Sequence, residues 1–327
     1  MKHLIRVGVL RGGPSSEYEV SLQTGGSVLR ALREKFPDKY QAHDILIDKQ
    51  GNWHIDGMPI VPVDLSRRLD VAFNALHGSY GEDGTVQHIF ETHGLPFTGS
   101  GSLASAVGMN KTLSRKAFKS HGIKVAVGKE ISSKEILKDV TSAASEIFNT
   151  FPMPAVVKPV SAGSSVGVSI VQTKQELEKA LVEAAKHGAS VLIEEFIKGT
   201  EVTVGVIDGF RDEELYVLPV VEIRPMTAFF DYEAKYAGKS EEIVPAHISH
   251  ETKVKLSELA KKAHQALGLR HYSRSDFIIS PRRGIYILET NTLPGLTQES
   301  LVPKALRAVG SDVHELVDHL IRRALSY

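Results

Sequence analysis

Along most of the chain, short apolar runs alternate with stretches whose apolar residues recur at helical intervals. "IRVGVL" reads as a short buried strand, and "RGGPSSEYEVSLQTGGSVLRALREKF" as a glycine turn followed by a helix. Ser16 and Glu19 there are spaced for a capping box. "YQAHDILID" and "DVAFNAL" read as further strands, the second opening into the glycine-rich "HGSYGEDG". This order predicts a doubly wound parallel sheet, which collects ligands outside the carboxyl ends of its strands. Glu17 and His77 lie just past two such ends.

The small-residue stretch "LPFTGSGSLASAVGMN" marks a first boundary near residue 103. Asn110 then caps a helix, "KTLSRKAFKSH", that Gly122 stops. "AVVKPV" and "VSIV" are strands flanking "SAGSSVG". Thr173 with Glu176 opens a helix that Gly188 ends. "SVLIEEFI" and "EVTVGVI" are strands joined by "KGT", and "VLPVVEI" is another. "HETKVKLSELAKKAHQALG" is an amphipathic helix, and "DVHELVDHLIRRAL" a final one. Ahead of these helices, after "VLPVVEI", "RPMTAFFDYEAKYAGKSEEIVPAH" has no clear period; so long a segment is expected to be functional or mobile.

"SRSDFIISPRRGIYILETN" reads as a hairpin around "PRRG". Pairing Ser280 with Ile285 sets Asp276 opposite Glu289 and Arg274 opposite Asn291. Two carboxylates directly opposite on one sheet face repel, so something positive belongs between them. Arg274 is a candidate. Asp276, Glu289 and Asn291 converge with oxygen atoms only, which suits a hard cation such as Mg²⁺ held together with substrate phosphates. An exposed hairpin with its charges in water is the alternative.

Composition narrows the classes. The 327 residues fit two or three domains. Hydrophobic content of 42% and charged content of 24% are those of an ordinary soluble protein. The net charge of zero gives no reason to expect a nucleic-acid partner. The absence of cysteine removes disulfides, thiolate zinc sites and a cysteine nucleophile. The apolar run after Met1 is too short for a signal peptide, and no stretch approaches the roughly 20 apolar residues of a membrane span. A cytoplasmic protein that does not engage a membrane is expected.

Other positions could carry chemistry. "GSSVG", 163–167, lies between two strands, unlike a Walker loop, yet its amides and hydroxyls could fold over phosphates. Lys158 sits in an apolar strand: either an edge strand turns it to water, or it has a partner. Lys111 falls in the first turn of its helix, where the dipole disfavours a cation and an anionic ligand would explain it. Glu194, Glu195 and Glu201 flank a crossover where carboxylates could meet ribose hydroxyls or an adenine amine, with strand-end solvation the plainer reading, favoured for Glu195. Glu17 at a helix start is favourable on its own account.

"GGPSSEYEVS", "HGSYGEDGT", "MNK", "KP…GSSVGV", "DYEAKY", "RSDF" and "ETNTLPGLTQESLVP" occur in the order found in D-alanine–D-alanine ligases of the ATP-grasp superfamily, and the chain resembles that family over essentially its whole length. The resemblance implies a three-domain α/β ATP-grasp fold: a doubly wound N-terminal domain (1–103), a central one (104–188) and a C-terminal one (189–327), with ATP between the last two. It implies that Lys111 and Lys158 contact ATP phosphates, and that Glu194, the backbone near Ile197, and Glu201 hold adenine and ribose. Glu195 is grouped with them by position. Asp276, Glu289 and Asn291 would bind two Mg²⁺ ions, with Mn²⁺ a possible substitute. Glu17, aided by His77, would grip the first D-alanine, and Ser164 and Tyr236 would join Glu17 in closing the site. Lys235 would reach the transferred phosphate, Arg274 and the Gly295 amide the oxyanion, and Ser300 the second substrate's carboxylate.

The implied activity is ATP-dependent ligation of two D-alanines through an acyl phosphate, for peptidoglycan precursor synthesis and hence cell shape. A homodimer carries over from the family. A ligase for another amino-acid pair, or one making D-alanyl-D-lactate, is the nearer alternative. Tyr236 speaks against the hydroxy acid, since in the family a phenylalanine there goes with D-lactate. A non-catalytic ATP sensor would be marked by loss of a metal ligand, Lys158 or Arg274, and all are present. A dinucleotide oxidoreductase is disfavoured because the first turn is "RGGPSS", not GxGxxG. "VSA" before Gly163 and Ser275 depart from the usual family pattern without removing a proposed catalytic group.

Overall fold

The structure, a computed structural model, describes residues 4–164, 166–225 and 240–326. Its first sheet is centred on Ile5–Gly12, parallel to Tyr40–Ile47 on one side and Val71–Asn74 on the other. Val7, Val9, Val71 and Phe73 fill one core, and Leu10, Ile45 and Ala72 another. Both faces are covered, which is why these strands read as unbroken apolar runs. Two short antiparallel strands, Trp53–Ile55 and Met58–Pro59, extend the edge beyond Tyr40–Ile47.

The expected capping box is not there. Helix Tyr18–Lys35 starts two residues after Ser16, with Glu17 at its N-cap and no side-chain cap bond. Ser15 Oγ instead accepts the Glu17 amide at 3.1 Å. The "GGPSS" turn consumes the residues that would have closed the box. Gly12, at φ +89°, is required in that turn because a Cβ would lie 2.3 Å from the Ile47 carbonyl oxygen.

The second sheet is antiparallel, in the order Gly128–Ser132, Ser190–Glu195, Ala155–Pro159, Ser169–Val171. Helices Val140–Thr150 and Lys174–Ala185 cover one face, where Ala155, Val157, Val191 and Ile193 point. Thr173 and Glu176 do close a capping box on the second helix. Because strand residues alternate, Lys158 and Glu194 face the opposite side. Lys158 is therefore not on an edge strand: its strand is paired on both sides. Ser190–Glu195 lies inside this sheet, so a domain boundary at 188 separates a strand from its own partners.

The third sheet has six strands. Thr200–Asp208 and Tyr272–Ser280 form its centre, flanked by Gly284–Asn291 on one side and by Val221–Pro225 and Ser240–Ile243 on the other; Leu215–Val217 also pairs with Thr200–Asp208. Helix His250–Ala266 buries Leu256 and Ala260 against Val202, Val204 and Phe277. Phe118, on helix Lys111–Ser120, joins the same core, so that helix packs on the third sheet rather than the second. The final helix, Val313–Ala324, returns to the first sheet, where Leu316, Val317 and Leu320 pack with Val28 and Leu32.

Candidate active site

The hairpin register decides the site. Ser280 pairs with Gly284, not Ile285, so the loop is one residue shorter than expected. A β-bulge between Asp276 and Phe277 absorbs the extra residue, Leu288. Asp276 therefore still meets Glu289, and Arg274 still meets Asn291. Without the bulge Glu289 would share a face with Ile287, which is buried in the core beside Phe277.

The positive groups at the two carboxylates are different: Arg274 answers Asp276, and Lys111 lies beside Glu289. Arg274 Nε and Nη2 each donate to Asp276 at 3.0 Å. Burial alone would lower its pKa; Asp276, and behind it Glu289 and Glu82, more than offset this and raise it above the ordinary arginine value. Asp276, 6% exposed, also accepts 2.6 Å from Thr203 Oγ1 on the neighbouring strand. Asn291 Oδ1 accepts the Leu293 amide at 3.0 Å. Two carboxylates and one amide oxygen thus sit on adjacent strands with no nitrogen or sulfur donor among them, a donor set that fits a hard divalent cation.

A cleft joins this face to the first sheet. Glu17, Glu82, Lys111, Gly163, Ser164, Glu289 and Asn291 are among its walls. Glu17 is buried where two loops meet: a Cβ on Gly163 would lie 2.8 Å from its Oε1, and one on Gly78 would lie 2.9 Å away. A Cβ at either position would push that carboxylate from its place. Ser164 follows at φ +50°. Lys111 opens its helix under the Asn110 cap, which accepts from the Thr112 and Leu113 amides. Its Nζ donates to the Ala162 carbonyl at 2.6 Å and lies 3.6 Å from Glu289 Oε2. Those oxygens offset the unfavourable helix dipole.

His77 is 5% exposed, its Nε2 2.8 Å from Thr24 Oγ1 and its Nδ1 3.9 Å from Glu82 Oε1. Glu82 in turn accepts the Gly78 amide at 2.9 Å. Gly295 and Ser300 are brought together by the loop after Asn291: a Cβ on Gly295 would be 2.8 Å from Ser300 Oγ, which bonds Thr297 Oγ1 at 2.8 Å.

On the second sheet, Lys158 and Glu194 are both buried and form an ion pair, and Glu194 also pairs with Arg115. Glu195 is clamped by Arg283 at 2.7 and 3.0 Å and accepts the Val127 amide at 2.9 Å, so it fastens the hairpin loop to the second sheet. Arg283 lowers its pKa more than burial raises it. Ile197 is buried beside Ala126 and Tyr286. Glu201 shares a strand face with Thr203, two residues on. Lys235 and Tyr236 lie outside the described residues.

Four neighbours of the site escaped the sequence reading: Thr24, Glu82, Arg115 and Thr203. Thr203 was signalled only as a polar residue inside "EVTVGVI", and Arg115 as the residue one helical turn after Lys111.

Comparison with known proteins settles the family. A family model described as "D-ala D-ala ligase C-terminus" matches residues 117–322, and "D-ala D-ala ligase N-terminus" matches 6–64 and 60–100. The chain belongs to the D-alanine–D-alanine ligase family. A D-alanine–D-alanine ligase of Geobacter sulfurreducens is 40% identical, covering 97% of this chain and 93% of that protein. One of Pelotomaculum thermopropionicum is 39% identical, covering 98% and 97%. Among solved structures, the VanG D-Ala:D-Ser ligase of Enterococcus faecalis superposes with a TM-score of 0.86 at 32% identity, covering 98% of this chain and all of that one. D-alanyl-alanine synthetase A of Vibrio cholerae gives 0.87 at 25% identity, with both chains covered completely. These ligases have the ATP-grasp fold, and the three sheets described above are this chain's version of it.

Proposed function

We propose that this protein joins two D-alanine molecules to D-alanyl-D-alanine, converting ATP to ADP and phosphate, as a step in making peptidoglycan precursors. The observation that carries the reading is the cleft shared by Glu17, at the start of the helix that follows the first strand, Lys111 and the Glu289–Asn291 strand end. Family membership supplies the reaction class.

A carboxylate at neutral pH is a poor electrophile. The first D-alanine's carboxylate takes the terminal phosphoryl group of ATP, ADP leaves, and the acyl phosphate formed is open to the second D-alanine's amine. Phosphate then leaves as the peptide bond closes. Glu17 holds the first ammonium, with His77 behind it. Lys111 and Lys158 hold ATP phosphates, Glu201 and the backbone at Ile197 the nucleoside, and Lys235 the phosphoryl group in transfer. Arg274 and the Gly295 amide face the developing oxyanion, where fixed donors contribute most. Ser300 binds the second carboxylate. Ser164 and Tyr236 complete the cover that keeps water from the acyl phosphate. Asp276, Glu289 and Asn291 would hold Mg²⁺, which supplies charge neutralisation for the phosphates when bound.

The test is phosphate release from ATP with D-alanine, L-alanine, D-serine or D-lactate as partners, with mass analysis of products. D-alanyl-D-alanine from D-alanine alone is expected. The D-serine arm matters because a D-Ala:D-Ser ligase is among the structural neighbours; turnover only with D-serine or D-lactate as acceptor would overturn the acceptor assignment. No described helix is long and apolar enough to cross a membrane. A cytoplasmic homodimer completes the proposal, and light scattering on the purified chain tests the dimer.

A further inference from the structure

The Lys158–Glu194 pair poses an electrostatic difficulty. Lys158 is 7% exposed and Glu194 6%, side by side on one face of adjacent strands. A lysine paired with a glutamate is formally neutral and has little attraction left for a phosphate. Arg115 supplies the missing charge. It is 6% exposed, and its Nη1 pairs with Glu194 Oε1 while Lys158 Nζ pairs with Oε2. The trio then carries one net positive charge in a poorly solvated place, where it acts strongly on an incoming anion.

The guanidinium is built into position. Its Nη2 donates to the Ala126 carbonyl at 2.6 Å. Gly128 makes room for it, since a Cβ there would lie 2.8 Å from Nη2. Arg115 stands one turn after Lys111 on a helix that packs on the third sheet, whereas Glu194 and Lys158 belong to the second. The contact thus spans the junction of the two sheets. With both Glu194 oxygens turned to cations, the carboxylate serves to hold Lys158.

We propose that Arg115 is a positioning residue for nucleotide binding: through Glu194 it fixes Lys158 and restores the net positive charge by which Lys158 attracts the triphosphate. The inference rests on the ligase reading only in taking ATP as the ligand. It gives Glu194 a second task, holding Lys158, beside the adenine contact that the resemblance implies; a glutamine at 194 keeps an acceptor for the base.

The experiment is calorimetric titration of MgATP, without D-alanine, into the wild-type chain and into Arg115→Met, Arg115→Lys, Glu194→Gln and the Arg115→Met/Glu194→Gln double variant. Arg115→Met leaves a neutral pair and is expected to weaken ATP binding about tenfold or more. The double variant removes the charges of both Arg115 and Glu194, so that the three positions again carry one net positive charge, and is expected to recover most of that loss. Glu194→Gln leaves two cations and is expected to bind ATP at least as tightly as wild type; Arg115→Lys falls between wild type and Arg115→Met. A merely structural role predicts the double variant to be the worst. Wild-type affinity in Arg115→Met, no recovery in the double variant, or weakened binding in Glu194→Gln would each overturn the proposal. If Arg115→Met does not fold, the comparison of Glu194→Gln and the double variant with wild type still decides. Wild-type protein that fails to bind ATP would refute the nucleotide reading itself, whereas the expected order of affinities without dipeptide formation would refute only the ligation.

Discussion

His271 lends itself to a worked test. It is fully buried at the start of strand Tyr272–Ser280, at φ +68°, and its Nδ1 accepts the Gly99 amide at 2.9 Å. That bond fastens the first domain to the third sheet. Burial, then the charge of Arg270, pull its pKa from 6.5 down to about 3; Asp208 opposes this, and Arg323 and His319 add to the lowering. The folded chain therefore binds fewer protons here than the unfolded chain. The contribution to stability is fully present above pH 6.5 and is lost as pH falls toward the folded value. Between pH 7.5 and 5.0 the loss is about 2 kcal/mol, most of it below pH 6.5 where the slope approaches about 1.4 kcal/mol per pH unit. Any folded pKa well below 5 gives the same figure, so the expectation does not depend on the depth of the shift. His271→Asn removes the titration, keeps an acceptor for the Gly99 amide, and places at φ +68° a residue that tolerates the left-handed region. Urea unfolding of both proteins at pH 7.5 and pH 5.0 is the assay. The variant is expected to be less stable than or equal to wild type at pH 7.5 and to gain about 2 kcal/mol relative to it at pH 5.0. Other histidines titrate in both proteins and cancel in the comparison. Stability differences that are equal at the two pH values would refute the reasoning.

Three further expectations follow from particular contacts. Thr203→Val removes the 2.6 Å hydrogen bond that orients Asp276; half-saturating Mg²⁺ should rise about tenfold, with Thr203→Ser close to wild type, as measured by Mg²⁺ titration of activity and by Mn²⁺ binding in electron paramagnetic resonance. Gly163→Ala drives a methyl to 2.8 Å from Glu17 Oε1; initial-rate kinetics should show the KM for the first D-alanine up about tenfold while MgATP binding by calorimetry stays within about twofold. Asn110→Ala loses the cap over Lys111 and should cost about 1 kcal/mol in urea unfolding.

Much of the site could be read from the sequence because its pieces are local. Strand alternation put Glu289 and Asn291 together, Asn110 announced its helix, and "GSSVG" announced a hairpin tip, since periods of two and 3.6 residues and cap chemistry act within a few positions. The register of the hairpin Tyr272–Ser280 and Gly284–Asn291 shows the limit. A four-residue loop and no bulge gives the same Asp276–Glu289 pair as the observed shorter loop with Leu288 bulged out. Two local differences cancel, and only the bulge explains how Glu289 escapes the core face that Ile287 fills.

Tertiary structure decided the remainder. No local pattern places Ser190–Glu195 beside Ala155–Pro159, and without that pairing Lys158 reads equally well as an edge lysine facing water. Nor does any spacing bring Arg115 to Glu194, Glu82 to His77, Thr203 to Asp276, or the last helix back to the first sheet. The sequence by itself determined which elements form and which chemical groups their strand ends carry, because those follow from neighbours along the chain. Which charges are buried together, and hence how much charge the site shows its ligand, was decided by contacts between residues far apart in sequence, where burial removes the water that would otherwise screen them.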